Sequence, residues 1–287
     1  MHYTEAKGIL SSQNGMNIYR GCSHGCIYCD SRSTCYNFTH PFEDIEVKQN
    51  APELLEQALK AKRKRCMIAT GSMSDPYMHL EEKLCLMRKC LEVIDRYGFG
   101  VTLLTKSSRV LRDLDLLEEI NQKAKAVVQM TMTTYNEDLC RWIEPNVCGT
   151  KERFDTLMQM KALKIPTMVW LTPILPYIND TVENIDGILS YCEEAQVKGI
   201  ICFGIGVTLR DGDREYFYNA LDKYFPGMKE QYIRAFGSSY NCPSPNERQL
   251  LQRVMDFCST HHMLFGEEAC FSYLRELPKQ YTQTSLF

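Results

Sequence analysis

Residues 21–30 read GCSHGCIYCD, which sets Cys22, Cys26 and Cys29 in a C-x3-C-x2-C spacing. A structural zinc site takes four nitrogen or sulfur ligands. His24, inside the loop, and Cys35, beyond it, are the available fourth ligands, so zinc remains an open reading. Closing a tetrahedron through His24 within so short a loop would be strained. Three thiolates also suit a four-iron cube, and they leave one iron uncapped for chemistry.

Outward from this loop, short β-rich runs alternate with longer helical patterns. Strands are expected at 16–19, 67–70, 101–105, 126–132, 167–171 and 199–204. Helices are expected at 51–65, 80–97, 109–123, 151–163 and 181–195. In the second of these, Leu84, Met87, Leu91 and Ile94 recur at three- and four-residue spacing, the stripe of a core-facing helix. Strand–helix alternation implies parallel strands joined by right-handed crossovers. Six such units give an α/β fold, a partial (β/α)6 TIM-type barrel. Chemistry in such a barrel gathers on the loops that follow the strands. Polar residues fall there repeatedly: 22–29 after the first strand, Ser72, Ser74 and Asp75 after the second, and Lys106 after the third. Thr133 and Thr134 follow the fourth, residues 173–180 the fifth and Arg210 the sixth.

The chain of 287 residues is long enough for one large core. A net charge of −3 gives no global field to attract nucleic acid or an anionic membrane. The dense basic run at 60–65 reads as the solvated end of a helix. Residues 1–6 lack a charged-then-apolar signal pattern, and no apolar run approaches a membrane span. A cytoplasmic protein with no membrane partner is therefore expected. Fourteen cysteines in a reducing compartment are thiols or metal ligands. Cys66, Cys85, Cys90, Cys192, Cys202 and Cys258 sit on apolar faces as small core residues.

After about residue 212 the alternation weakens. Residues 1–212 read as the barrel core. Residues 213–276 read as an α-rich extension packed on it, with a helix at 245–261 capped by Asn246. Residues 277–287 read as an extended tail.

The cysteine spacing on the loop after a first barrel strand, with aromatic Tyr28 before the last cysteine, resembles the signature of the radical S-adenosylmethionine (SAM) superfamily. The resemblance implies a partial barrel of the radical SAM type, a [4Fe–4S] cluster on Cys22, Cys26 and Cys29, and SAM bound to the open iron. It also implies reductive cleavage of SAM to methionine and a 5′-deoxyadenosyl radical, with an electron donor such as flavodoxin or ferredoxin. Residues 21–32 (GCSHGCIYCDSR), 71–81 (GSMSDPYMHLE), 103–117 (LLTKSSRVLRDLDLL), 130–146 (MTMTTYNEDLCRWIEPN) and 172–180 (TPILPYIND) jointly resemble the spore photoproduct lyase branch.

Carried over residue by residue, that branch implies Tyr28 near the adenine, with Ser74, Lys106 and Thr131 contacting SAM. Ser72, Asp75 and Thr133 lie in the same segments, and Arg141 is a second candidate cation for the SAM carboxylate. Two positions depart from the branch. Ser72 stands where the lyase has its hydrogen-returning cysteine, and Asp30 stands where it has a tyrosine. The lyase reaction itself is thereby in question. Cys35, Cys140, Cys148 and Cys242 are the thiols available elsewhere as hydrogen donors. Cys140 is singled out because Arg141 beside it would favour thiolate.

The terminal residues 283–287 read QTSLF and resemble the bacterial sliding-clamp-binding peptide, with Gln283, Leu286 and Phe287 as anchors. Both resemblances imply a DNA or other nucleic-acid substrate, reached through clamp tethering rather than through a basic surface. Two alternatives stay open: radical SAM modification of RNA, a peptide or a small molecule, and a non-enzymatic metal-binding interaction module.

Overall fold

The computed structural model describes residues 1–278. Its main sheet has seven strands: β1 (Gly15–Met16), β2 (Met67–Thr70), β3 (Gly100–Thr105), β4 (Ala126–Thr131), β5 (Thr167–Trp170), β6 (Gly199–Ile201) and β7 (Leu264–Phe265). They lie in sequence order and every adjacent pair is parallel. Helices α1 (Ala51–Ala61), α2 (Leu86–Tyr97), α3 (Leu114–Lys123), α4 (Thr150–Ala162), α5 (Val182–Glu194) and α6 (Glu247–Thr260) carry the crossovers. This is the expected partial TIM-type barrel. β4 is buried along its whole length, as a parallel strand covered on both faces must be.

Several elements differ from expectation, each for a visible reason. The first strand stops at Met16, and Tyr19–Arg20 instead pairs antiparallel with Glu46–Lys48 in a small separate sheet completed by His2–Thr4. This detour carries the chain out of the barrel to start the cysteine loop.

The expected helix at 80–97 is broken at Cys85, which adopts φ 49°. The break lets the buried Glu81 carboxylate accept from the Leu86 and Met87 backbone N–H groups at 3.1 and 3.0 Å, capping α2. Tyr19 and Arg112 bond the same carboxylate. At the far end Gly98, at φ 65°, closes the helix in the left-handed region that favours glycine.

The expected helix at 109–123 starts as a 3-10 turn, Ser108–Asp113, before α3. Buried Asp113 holds that junction through Arg88, Arg112 and the Tyr77 hydroxyl.

Asn246 precedes α6 without a side-chain cap. Its amide donates instead to the Asp180 carbonyl at 3.2 Å. Residues beyond 212 do more than pack on the barrel. They supply β7 and a strand, Asn241–Pro243, paired with Gly206–Thr208.

Candidate active site

The cysteine loop lies at the C-terminal ends of the strands. Gly21, at φ 87°, starts it. A Cβ there would meet the Phe42 carbonyl oxygen at 2.4 Å, so glycine is required. The loop leans on the segment after the fourth strand: Ile27 N–H donates to Ile143 O at 3.0 Å, Asn146 N–H to His24 O at 3.1 Å, and the Asn146 amide to Ser23 O at 3.1 Å.

Cys22, Cys26 and Cys29 line one recess of about 110 Å³ with His24, Tyr28, Ser72, Ser74, Asp75, Lys106 and Thr131. That recess shares Tyr28, Cys29, Ser72, Lys106 and Thr131 with an outer cavity of about 510 Å³. At Gly71, a Cβ would meet Leu104 O at 1.9 Å, so the second and third strand ends meet only because glycine stands there.

The second-strand residues do different work. The Ser74 hydroxyl donates to Gly21 O at 2.5 Å and ties its loop to the cysteine loop. Asp75 accepts from Thr105 Oγ1 at 2.7 Å, Tyr77 N–H at 2.8 Å and Lys106 N–H at 2.8 Å. Its carboxylate is engaged by the protein, so it sets the Lys106 loop rather than offering a free ligand group. Ser72 is exposed on the cavity wall.

Burial pushes the Cys22 thiol up to about 12, Cys26 well up and Cys29 up. Burial thus works against their thiolate forms, which a bound cation would favour. His24 is 1% exposed, and burial lowers its imidazole to about 4. Its Nδ1 faces Asp75 at 3.5 Å, while Nε2 is buried with no hydrogen-bond partner. An orphaned polar atom beside three thiols marks a place made for a polar occupant.

Beneath the recess lies a buried charge cluster that the sequence reading missed. Arg153 and Glu144 are 0% and 1% exposed and pair at 2.5 Å. Burial pushes the Glu144 carboxyl up, but Arg153 and Lys106 outweigh it and hold the carboxyl below its ordinary value. The same carboxylate accepts from the Tyr28 hydroxyl. Arg153 also donates to Thr131 O at 3.0 Å and to Cys148 O at 2.8 Å. Lys106 lies 5.7 Å from the Tyr28 ring centroid. Burial works against its charge, and the Cys26 sulfur and Glu144 outweigh that, so its ammonium is favoured. A signal for Arg153 existed: it stands four residues before Leu157 on the apolar face of α4, where a charge demands a partner.

Not every expected residue reaches the cavity. Arg141 is a surface residue, its side chain 69% exposed and paired with Asp138 at 2.9 Å. The expected second cation is therefore not brought to the site, because α-helical rotation turns position 141 outward. Thr133 is fully buried behind the wall, its hydroxyl 3.5 Å from Glu144. Cys140 is 1% exposed, and its sulfur lies 3.7 Å from Glu144 and 3.8 Å from Arg153. Its neighbouring cation is Arg153, not Arg141, and burial with the Glu144 charge pushes the thiol up to about 11. It is not among the residues lining the cavity. The tail residues Gln283, Leu286 and Phe287 lie outside the described residues.

The outer cavity has a different lining: Trp170, Phe203, Tyr240, Asn241 and Glu247. Phe203 and Tyr240 are 49% and 48% exposed. Trp170 meets Phe203 edge-on at 5.5 Å, and the Arg210 guanidinium lies 4.8 Å over the Tyr240 ring. Asp30 faces Arg210 at 3.0 Å. Among the described residues no helix is long and apolar enough to cross a membrane.

The Radical SAM superfamily profile matches residues 16–192. An uncharacterized protein of Mycobacterium tuberculosis is 27% identical over 254 residues, covering 86% of this chain and 74% of the relative. An uncharacterized protein of Methanocaldococcus jannaschii is 33% identical over 174 residues, covering 60% of this chain and 64% of the relative. Among solved structures, spore photoproduct lyase complexed with dinucleoside spore photoproduct superposes with a TM-score of 0.66 at 14% identity, covering 91% of this chain and 79% of that one. A mutant of the lyase with bound AdoMet and the same dinucleoside gives 0.62 at 13% identity, covering 85% and 72%. At such identity the likeness is one of fold.

Proposed function

The chain belongs to the radical SAM superfamily, and from that premise we propose that it acts on a DNA nucleobase, damaged or awaiting modification. Membership implies a [4Fe–4S] cluster and SAM as cofactors. The residues present fit both groups: three thiols on one recess, the orphaned His24 Nε2 beside them, and one half-buried lysine on the same recess. Cys22, Cys26 and Cys29 would hold the cluster. Lys106, Thr131, Ser72 and Tyr28 face the volume next to it. When bound, the pair supplies a 5′-deoxyadenosyl radical able to abstract hydrogen from a substrate.

The chain's own residues prepare that volume. Lys106 offers a half-buried cation for a carboxylate, and its charge is sustained by Glu144 below. Glu144 also holds the Tyr28 hydroxyl, which fixes the ring against the wall. Ser74 and Asp75 lock the second- and third-strand loops to the cysteine loop, so the wall is set before any ligand arrives.

One observation carries the substrate reading. Exposed Phe203 and Tyr240, the latter under Arg210, line the mouth of the same cavity. Exposed aromatic faces with an arginine plane are the means by which proteins hold an unstacked base. The dinucleoside bound by the structurally similar lyase is in keeping with this. Ser72 and Asp30 depart from the lyase pattern, so the reaction is proposed as hydrogen abstraction from the base, with the later steps distinct from the lyase's.

The test is anaerobic reduction with dithionite or flavodoxin, then SAM with oligodeoxynucleotides, irradiated or not. We expect 5′-deoxyadenosine to rise with one DNA class and a modified base to appear. Cleavage of SAM that no DNA alters, or that RNA or peptide stimulates instead, overturns the substrate reading. The proposal extends to sliding-clamp docking by residues 283–287. Their deletion is expected to abolish clamp capture while leaving SAM cleavage unchanged.

A further inference from the structure

Away from the cavity, the small sheet formed by His2–Thr4 and Glu46–Lys48 gathers a second set of ligating groups. His2 lies in register with Glu46. His40 meets His2 edge-to-face, with ring centroids 4.7 Å apart. A ring nitrogen of each histidine and a carboxylate oxygen of Glu46 lie within 4.8 Å of one another.

The hydrogen-bond partners decide where the lone pairs point. His40 Nδ1 is 3.0 Å from the Pro41 carbonyl oxygen, which only accepts, so Nδ1 carries the proton. Neutral His40 then presents a lone pair at Nε2. That atom is buried without a hydrogen-bond partner and sits 3.9 Å from Glu46 Oε2. His2 Nδ1 is 3.1 Å from Asp44 Oδ2, which holds its proton there and leaves the lone pair on Nε2. A carboxylate behind an imidazole is the usual device for orienting a metal-bound histidine.

We propose that His2, His40 and Glu46 bind a zinc-type divalent ion, with water in the remaining position. Two imidazoles and a carboxylate suit Zn²⁺ at bonds of about 2.0–2.2 Å. Tetrahedral closure then needs ligand separations of roughly 3.3 Å, which modest side-chain rotation from the present spacing reaches. Glu46 has competitors: Thr4 Oγ1 donates to it at 3.3 Å and Arg20 Nη1 lies 3.9 Å away. The guanidinium opposes a second cation, so its removal should tighten binding. The ion would join the outer strand to the segment through residue 42. The Phe42 carbonyl accepts the Cys22 N–H at 3.3 Å, so the site would brace the start of the cysteine loop.

The test uses cluster-loaded full-length protein with a native N-terminus. Iron is measured in the same sample, so that zinc on the cysteines is recognised. One equivalent of Zn²⁺ is added, free metal is removed by gel filtration, and bound zinc is counted. Wild type should keep about one zinc per chain with iron unchanged. His40→Ala and His2→Gln should lose it, Asp44→Asn should weaken affinity roughly 10–100-fold, and Arg20→Ala should bind more tightly. His262→Ala, outside the cluster, should match wild type. His2→Gln sits on an edge strand and keeps the test valid if His40→Ala folds poorly. No zinc retained by wild type, or wild-type retention in either histidine variant, overturns the site.

Discussion

The inner and outer halves of the cavity are built differently. In the inner half almost every polar group is tied to another: Ser74 to Gly21, Asp75 to Thr105 and Lys106, Tyr28 to Glu144, Glu144 to Arg153. In the outer half Phe203 and Tyr240 stand half in solvent. Under the proposed function the contrast would separate two tasks. A radical-forming centre needs fixed groups and no water, whereas a surface that admits a nucleic-acid base needs open aromatic faces. On that reading, the inner half would serve the superfamily chemistry and the outer half would select the substrate.

Substitutions can break that contrast. The largest effect should come from Cys26→Ala, which removes one of three thiols. Anaerobic reconstitution should then give protein lacking the full iron complement, and SAM cleavage should fall to background. Intact iron and activity would sink the assignment.

Next is Glu144→Gln, which leaves Arg153 buried without its counter-charge. Breaking a buried pair from one side costs about 3–5 kcal/mol, read as a lowered urea midpoint. A loss under 1 kcal/mol would show that the pair does not hold the inner wall.

Phe203→Ala should weaken oligonucleotide binding by about 1–3 kcal/mol, the range for one base–aromatic stack. The rate of SAM cleavage without DNA should stay unchanged. Loss of cleavage in that variant would mean the two halves are not separable.

Asp213 gives a smaller, pH-dependent effect. Burial pushes its carboxyl up to about 6, and Oδ2 has no partner. Its raised folded value favours the neutral form. The stability it contributes is complete below the ordinary value of 3.8 and is lost as pH rises toward 6. Asp213→Asn keeps an acceptor for the Arg210 N–H, now bonded at 2.6 Å to Oδ1. That variant should gain about 1 kcal/mol at pH 7.5, discounted for partial solvent screening, and nothing at pH 4. An equal gain at both pH values would assign the effect to something other than ionisation. Arg141→Ala, on the surface, should change neither SAM affinity nor stability by more than about 0.5 kcal/mol.

Much of the frame was legible in the amino-acid order. Apolar runs of strand length between helical stripes predict a parallel sheet, and the residues after each run predict where the site lies. Loop position and spacing picked out Cys22, Cys26, Cys29 and Lys106, and the family resemblance picked out Tyr28; the fold brings all five to one recess. Adjacency in sequence does not set Arg141 beside the Cys140 thiol in space. On a helix, neighbours point about 100° apart, so Arg141 went to solvent while Cys140 went inward to Arg153. Glu81 could not be read as the cap of α2, since it lies five and six residues before the N–H groups it serves.

By itself, then, the sequence determined the barrel's alternation, the three-thiol loop and the short list of polar groups on strand ends, because each depends on periodicity or spacing along the chain. Only the tertiary structure decided which charges pair in the dark beneath that loop and which aromatics open to solvent. Glu144 finds Arg153 and Tyr28 across 9 and 116 positions of chain, a meeting fixed by packing and by the cost of burying a charge alone.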